Sequence, residues 1–500
     1  MIPIIEKAKT NKERIAVTEA RTTYTYQELL DKAQVVALYL LQNKVDLQEE
    51  RIAFMALQEV NYITLQWGIW LAGAVAVPIS LSHPLPEIEY ILEDTGATVL
   101  FTNKHYFDFL RPLSIAKNIQ LICIEDIFSV NLIEKPELPE IASDRRAMII
   151  YTSGTTSRPK GVVSTHEIIS SQISTLSQAW DWQPDDYILE VLPLHHVHGI
   201  INVVSCALWV GAKLEFMAKF DGNEVWDKFI EKEFTLFMAV PTIYNKLIHS
   251  WENADSEKKE KMHKAVCSMR LMVSGSAALP VNILEKWQKI SGHILLERYG
   301  MTEIGMAISN PYQGRRKAGK IGLPLPGVDV KLFDENHEEI AENEIAGEIR
   351  VKSHSVFKEY WNKPGATKEA FHQGWFCTGD IAERDKEGYY KILGRNSVDI
   401  IKTGGFKVSA LEIEEILRKH PYILECAVVG IPDEEWGEKI GVGLILQKEA
   451  ILDIEALRNW AKQYLAHYKI PTLMKVLEEL PRNVMGKVVK PALKELFLTS

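Results

Sequence analysis

The stretch Tyr151-Thr-Ser-Gly-Thr-Thr-Ser-Arg-Pro-Lys160-Gly161 gathers the groups that a polyanion needs. Glycines let backbone N–H groups come close, the Ser and Thr hydroxyls donate to phosphate oxygens, and Lys160 supplies a point charge. The spacing is not GxxxxGK[ST], so a Walker A loop is excluded. The same composition also suits a plain polar surface turn, so phosphate chemistry needs support from other segments. Three such places stand out: the histidines of Leu194-His-His-Val-His-Gly199, the triplet Thr378-Gly-Asp380, and Lys487 after Gly486. On composition alone the triplet reads as a turn and Lys487 as a solvated lysine. The close histidines raise the thought of a metal. No Cys or acidic side chain lies near them in sequence, which favours a structural role.

The elements that must hold these groups can be read from the pattern of apolar residues. An apolar run over 147–151 predicts a buried strand feeding the Lys160 loop. Downstream, strand-length runs over 235–240 and 270–273 alternate with helical patterns over 224–230, 241–248 and 280–290. That rhythm predicts α/β units with parallel sheets. The uncharged stretch 63–81 approaches the length of a membrane span. It is interrupted by Gln66, Gly73 and Pro78 and lacks a basic flank, so it is expected to be a buried helix turning into a core strand. Near Gly394-Arg395 the texture changes. Beyond it come a helix over 411–420, strands over 423–431 and 442–446, a helix over 454–465 and a strand over 474–477. The expectation is a large α/β domain over 1–395, built from several sheets, and a small α+β domain over 396–500.

With 500 residues, 46% of them hydrophobic and 25% charged, the chain is long enough for such a core and is not of disordered or repetitive type. The formal charge of −10 argues against a nucleic-acid partner. The five scattered cysteines form no CxxC pair, and reduced thiols are expected. The N-terminal residues show neither a signal-peptide nor a transit-peptide pattern, which reads as a cytoplasmic protein with no membrane span.

The Lys160 loop is followed, in order, by His196-containing Leu194–Gly199, Arg298-Tyr-Gly-Met-Thr-Glu303, Gly374-Trp-Phe-Cys-Thr-Gly-Asp380, Gly394-Arg395, Lys402-Thr-Gly-Gly-Phe-Lys407 and Pro481-Arg-Asn-Val-Met-Gly-Lys487. This ordered set resembles the adenylate-forming superfamily, which includes acyl-CoA synthetases, luciferases and peptide-synthetase adenylation domains. The opening Tyr24-Thr-Tyr-Gln-Glu-Leu-Leu has the same look.

The resemblance implies an activated acyl-adenylate made from ATP, followed by transfer to the thiol of CoA, with Mg²⁺ as cofactor. It assigns Thr152, Ser153, Gly154, Thr155, Thr156, Ser157 and Lys160 to the β- and γ-phosphates, and Glu303 to Mg²⁺. Thr302 goes to the α-phosphate, Tyr299 to adenine, and Asp380 with Arg395 to the ribose. Lys487 becomes the lysine that reaches the α-phosphate and the acid during adenylation. The small domain then turns, and Gly404, Gly405 and Lys407 approach the pantetheine. His196 takes a gating position at the acyl pocket. Ser397 stands where many relatives place the Asp or Lys of the hinge, with Asp399 further along, so the hinge residue stays open. Glu303 would equally suit a helix N-terminus, and Tyr299 a half-buried core tyrosine.

Arg298 before Tyr-Gly-Met-Thr-Glu303 bears on which acid is used. Burying an unpaired carboxylate costs several kcal/mol, roughly, so a dicarboxylate calls for a guanidinium in the pocket. Together with Leu192–Gly199, 240–246 and 271–280, Arg298 resembles the malonyl-CoA synthetases, mitochondrial-type branch. In that family Arg298 and Ser276 would hold the distal carboxylate, Lys246 would stand where some bacterial relatives carry arginine, and Val197 and Met306 would line the acyl pocket. A surface ion pair of Arg298 with Glu297 is the bland alternative. Other readings stay open: a synthetase for short-chain or aromatic acids, an adenylation module loading a carrier protein, and a silent nucleotide-binding protein. Methylmalonate is not separated from malonate, because one methyl is worth only about 1–3 kcal/mol. A monomer and a homodimer are equally compatible with the sequence.

Overall fold

The computed structural model describes residues 1–500 except 21, 129–136, 153–158, 397, 405, 483–486 and 500, and except the side chain of Lys407. Among the described residues the chain forms four sheets. The first has nine strands, and six consecutive members run parallel: Ile15–Glu19, Lys213–Phe216, Tyr187–Glu190, Leu236–Ala239, Leu271–Ser274 and Leu296–Met301. The second has seven strands, from Glu359–Tyr360 through Lys160–Thr165 and Arg146–Thr152 to Gln120–Cys123. Helices cover both, as the alternation of apolar runs predicts.

The stretch with membrane-like composition forms the helix Val60–Leu71 and the strand Val75–Pro78, both buried. The helix lies against Tyr26–Leu41 through Gly68, where a Cβ would stand 2.4 Å from Cβ of Val36. Only glycine allows that approach. Tyr26–Leu41 starts at a capping box: Thr25 Oγ1 accepts from Glu28 N–H, and Glu28 accepts from Thr25 N–H. No helix among the described residues is long and apolar enough to cross a membrane.

The third sheet was not anticipated. It is antiparallel and joins Val328–Phe333, Gly347–Ser353, Trp375–Arg384 and Tyr390–Arg395. Burial alternates along Trp375–Arg384, so the sheet has one covered and one more open face. The fourth sheet contains Ile400–Thr403, Phe406–Ser409, Ile423–Asp433, Gly437–Leu446 and Leu473–Val476. The helices Ala410–Leu417 and Ile454–Ala461 pack on it over a core of Ile401, Val408, Ile413, Leu417, Val428, Val442 and Leu457. That core is separate from the large one formed by the first two sheets. The helix Lys490–Leu498, absent from the pattern reading, closes the chain.

Candidate active site

Two hairpins and the ends of parallel strands bring the predicted residues together. In one hairpin Arg146–Thr152 pairs antiparallel with Lys160–Thr165, in a register that sets Thr152 opposite Lys160. Gly161 is required there, since a Cβ would stand 2.8 Å from the Ile149 side chain. Ser153, Gly154, Thr155, Thr156 and Ser157, the intervening loop, lie outside the described residues, as do Gly405 and Ser397.

The second hairpin joins Leu296–Met301 to Gly305–Ser309 and presents Thr302 and Glu303 in its turn, not at a helix N-terminus. Gly300 lets the two strands close, because a Cβ would lie 2.0 Å from the Gly305 carbonyl oxygen. Glu303 is buried, and burial raises its pKa above the usual carboxylate value despite Lys160 and Arg395 nearby. The Tyr360 hydroxyl donates to its Oε1 at 2.9 Å. Among the described residues no three His, Cys, Asp or Glu side chains form a group able to hold a metal. One buried carboxylate near the Lys160 ammonium nevertheless suits Mg²⁺, since this ion is usually held by one or two carboxylates together with substrate phosphates.

Asp380 lies inside the strand Trp375–Arg384, next to Gly379 with φ of 72°, instead of in a free turn. It faces Arg395 across the antiparallel pair and accepts from Arg395 Nε at 3.1 Å. Its other oxygen accepts from the Tyr299 hydroxyl at 2.6 Å. The Tyr299–Asp380–Arg395 cluster, expected to meet the nucleotide, is therefore internally paired. Burial pushes the Asp380 pKa up, and Arg395 and Tyr299 pull it back.

The surroundings of Arg298, expected to meet the acid, are built differently. Arg298 is 4% exposed, and its Nε has no hydrogen-bond partner. Burial pulls its pKa down to about 9, so it stays charged at neutral pH. No carboxylate pairs with it among the described residues. Glu297, the neighbour considered for an ion pair, is sent to the opposite face by the strand alternation. There burial raises its pKa to about 8. Arg298 Nη2 donates to Ser276 Oγ at 3.4 Å, and Ser276 Oγ is 3.1 Å from His198 Nδ1. Ser276 holds a left-handed φ of 68° just after Leu271–Ser274. Gly275 makes room for the guanidinium, whose Cζ would stand 2.5 Å from a Cβ there.

The histidine motif opens a π-helix, His198–Ser205, a rare geometry that is frequent at functional sites. The His196 ring lies tilted against that of His195 with centroids 4.1 Å apart, and its Nε2 is buried without a partner among the described residues. Burial, with Lys487 and His83 adding to it, lowers its pKa to about 4, so it is neutral. Val197 packs against the large core, and Met306 is buried against Gly300. Lys246 is exposed on the helix Pro241–Glu252, with Nζ 5.5 Å from the Phe220 ring, and no contact joins it to Arg298 or Ser276 among the described residues.

Lys487 as a residue is exposed, yet its ammonium is packed closely enough to be pushed below the usual lysine pKa. Arg395 and Arg298 push the same way, and Asp380 opposes. It thus stands within electrostatic reach of both ends of the site and of His196. Gly404 sits beside Trp436, whose carbonyl accepts its N–H at 2.9 Å. Tyr360, Gly275 and the His198–Ser276 contact were not anticipated. Tyr360 is 57 positions from Glu303, and no local pattern links the two.

Residues 4–361 match the family model described as AMP-binding enzyme, and residues 412–487 the model described as AMP-binding enzyme C-terminal domain. The mitochondrial malonate–CoA ligase of Mus musculus is 44% identical over 99% of this chain and 91% of that protein. The crystal structure of ATP-bound MatB from Rhodopseudomonas palustris superposes with a TM-score of 0.90 at 31% identity, covering 99% of both chains. The o-succinylbenzoate CoA synthetase MenE of Bacillus subtilis, in complex with ATP and magnesium ion, gives a TM-score of 0.85 at 27% identity, again over 99% of each chain.

Proposed function

The chain belongs to the AMP-binding enzyme family, and from that premise we propose that it is an ATP-dependent malonate–CoA ligase. Malonate, ATP and CoA give malonyl-CoA, AMP and pyrophosphate through a malonyl-adenylate. The observation that carries this reading is Arg298: a buried guanidinium with no carboxylate of its own, beside a serine hydroxyl. An uncompensated buried charge is costly. A dicarboxylate bound with its distal group on Arg298 and Ser276 supplies the missing anion. The 44% identity to a malonate–CoA ligase over nearly the whole chain supports the same acid.

In the first half-reaction a malonate oxygen attacks the α-phosphorus and the bond to pyrophosphate breaks. In the second the CoA sulfur attacks the acyl carbon, and AMP leaves with the C–O bond pair. Both steps crowd anions together, so fixed positive charge is the main catalytic demand. Lys160 and the 152–157 loop take the β- and γ-phosphates, and Thr302 donates to the α-phosphate. Tyr299 offers its ring to adenine with its hydroxyl tied to Asp380. Asp380 accepts from the ribose hydroxyls, with Arg395 holding it in place. Lys487 spans the α-phosphate and the reacting carboxylate. Glu303 would hold Mg²⁺, which would neutralise phosphate charge. His196, neutral and unpartnered, closes the acyl pocket, which Val197 and Met306 line. Residues 1–395 form the catalytic body and 396–500 a lid, whose turn would bring Gly404, Gly405 and Lys407 to the pantetheine.

The test is formation of AMP and pyrophosphate with malonate, methylmalonate, acetate and a medium-chain fatty acid. Malonate should be preferred. A preference for the fatty acid rejects the dicarboxylate assignment.

A further inference from the structure

Tyr360 touches two groups of the nucleotide site at once. Its hydroxyl donates to Glu303 Oε1 at 2.9 Å, and the Lys160 ammonium stands 4.8 Å from its ring centroid. The residue is buried, and the ring is supported by Phe357 at 4.6 Å. The backbone around it is tied to both partners. Phe357 N–H donates to the Glu303 carbonyl at 2.6 Å, while Lys358 and Trp361 N–H groups donate to the Val163 and Gly161 carbonyls at 2.9 and 2.8 Å. The two-residue strand Glu359–Tyr360 pairs with Lys160–Thr165, setting Tyr360 opposite Val162. The strap 357–361 therefore links the turn that presents Glu303 to the strand that begins at Lys160.

We propose that Tyr360 is a positioning residue that fixes the spacing between the phosphate-facing Lys160 and the metal-facing Glu303. The inference rests on the assignment of those two residues given above. By occupying Oε1, the phenol commits one carboxylate oxygen and orients the other towards the cation. A hydrogen bond to a buried carboxylate is of the stronger kind. The ring face holds the ammonium by cation–π attraction in the place where it meets a phosphate. Tyrosine is the side chain that supplies both a donor and a ring at one position. Phenylalanine keeps the second and loses the first.

Calorimetric titration of ATP into the full chain, with and without Mg²⁺, separates the two contacts without relying on turnover. Tyr360→Phe should raise the Mg²⁺ concentration needed for tight ATP binding by about tenfold. Its metal-free ATP affinity should stay within about twofold of native, since the ring remains. Tyr360→Leu should lose metal-free affinity as well, by about threefold. Native Mg²⁺ dependence in Tyr360→Phe overturns the proposal and leaves Tyr360 as packing. Native metal-free affinity in Tyr360→Leu overturns the Lys160 arm. Glu303→Gln is the reference. If it retains native Mg²⁺ dependence, the Glu303 assignment falls and the proposal with it. If it loses that dependence while Tyr360→Phe does not, the proposal alone falls.

Discussion

Two arginines serve the site in opposite ways. Arg395 is ion-paired with Asp380, which the Tyr299 hydroxyl also holds, so the end proposed for the nucleotide has its charges already paired. Arg298 is more deeply buried, reaches among the described residues a serine hydroxyl but no carboxylate, and keeps a buried N–H without a partner there. The difference separates positioning from recognition. A paired cation holds a neighbouring acceptor in place and adds little net charge for an incoming anion. An unpaired one carries a desolvation penalty that only an anionic ligand offsets, and this converts strain in the free enzyme into discrimination for the bound acid.

Lys487 is the group common to both ends, and removing it is expected to have the largest effect. Lys487→Ala should lower adenylate formation by about 10³-fold or more while a supplied malonyl-adenylate is still converted to thioester at near-native rate. ATP–pyrophosphate exchange and a thioester assay measure the two halves. Equal loss in both would mean that the lysine serves the whole site and that no turn of the lid divides the reaction. Next in size, Arg298→Met should raise KM for malonate on the order of 10²-fold and leave KM for ATP unchanged. Its melting temperature should hold or rise, because an unpaired buried charge is gone. A loss of ATP affinity would show that the two arginines are not separable. The smallest effect is expected at Lys246, exposed above Phe220. Lys246→Met should change malonate KM by less than about threefold, as exposed charges contribute little. A large rise would extend the acyl end to the helix Pro241–Glu252.

What the sequence disclosed follows from what short segments can encode. The Lys160 loop, the Thr302-Glu303 turn and the Asp380 and Arg395 positions are local motifs, and each sits on the hairpin or strand that its flanks support. The apolar 63–81 stretch was read correctly as helix then strand because Gly73 and Pro78 are local breaks. The antiparallel sheet from Val328 to Arg395 was missed although Val328-Asp-Val-Lys-Leu332 and Glu348-Ile-Arg-Val-Lys352 alternate, because its central strand Trp375–Arg384 carries Thr378-Gly-Asp380, which reads locally as a turn. Burial and partners were harder still. Arg298 was legible as a cation, but its lack of a carboxylate depends on the strand sending Glu297 to the other face and on Gly275 opening space beside it. Tyr360 reaches Glu303 only through a two-residue strand added to the edge of a different sheet.

The account turns on Arg298 reading a second carboxylate, and propionate, which has a methyl where malonate has that group, isolates the contact. The direct measurement is the ratio of kcat/KM for malonate to that for propionate in the native chain and in Arg298→Met. The ratio should fall by about two orders of magnitude in the variant, with propionate turnover maintained. An unchanged ratio, with both acids impaired alike, would contradict the role assigned to Arg298.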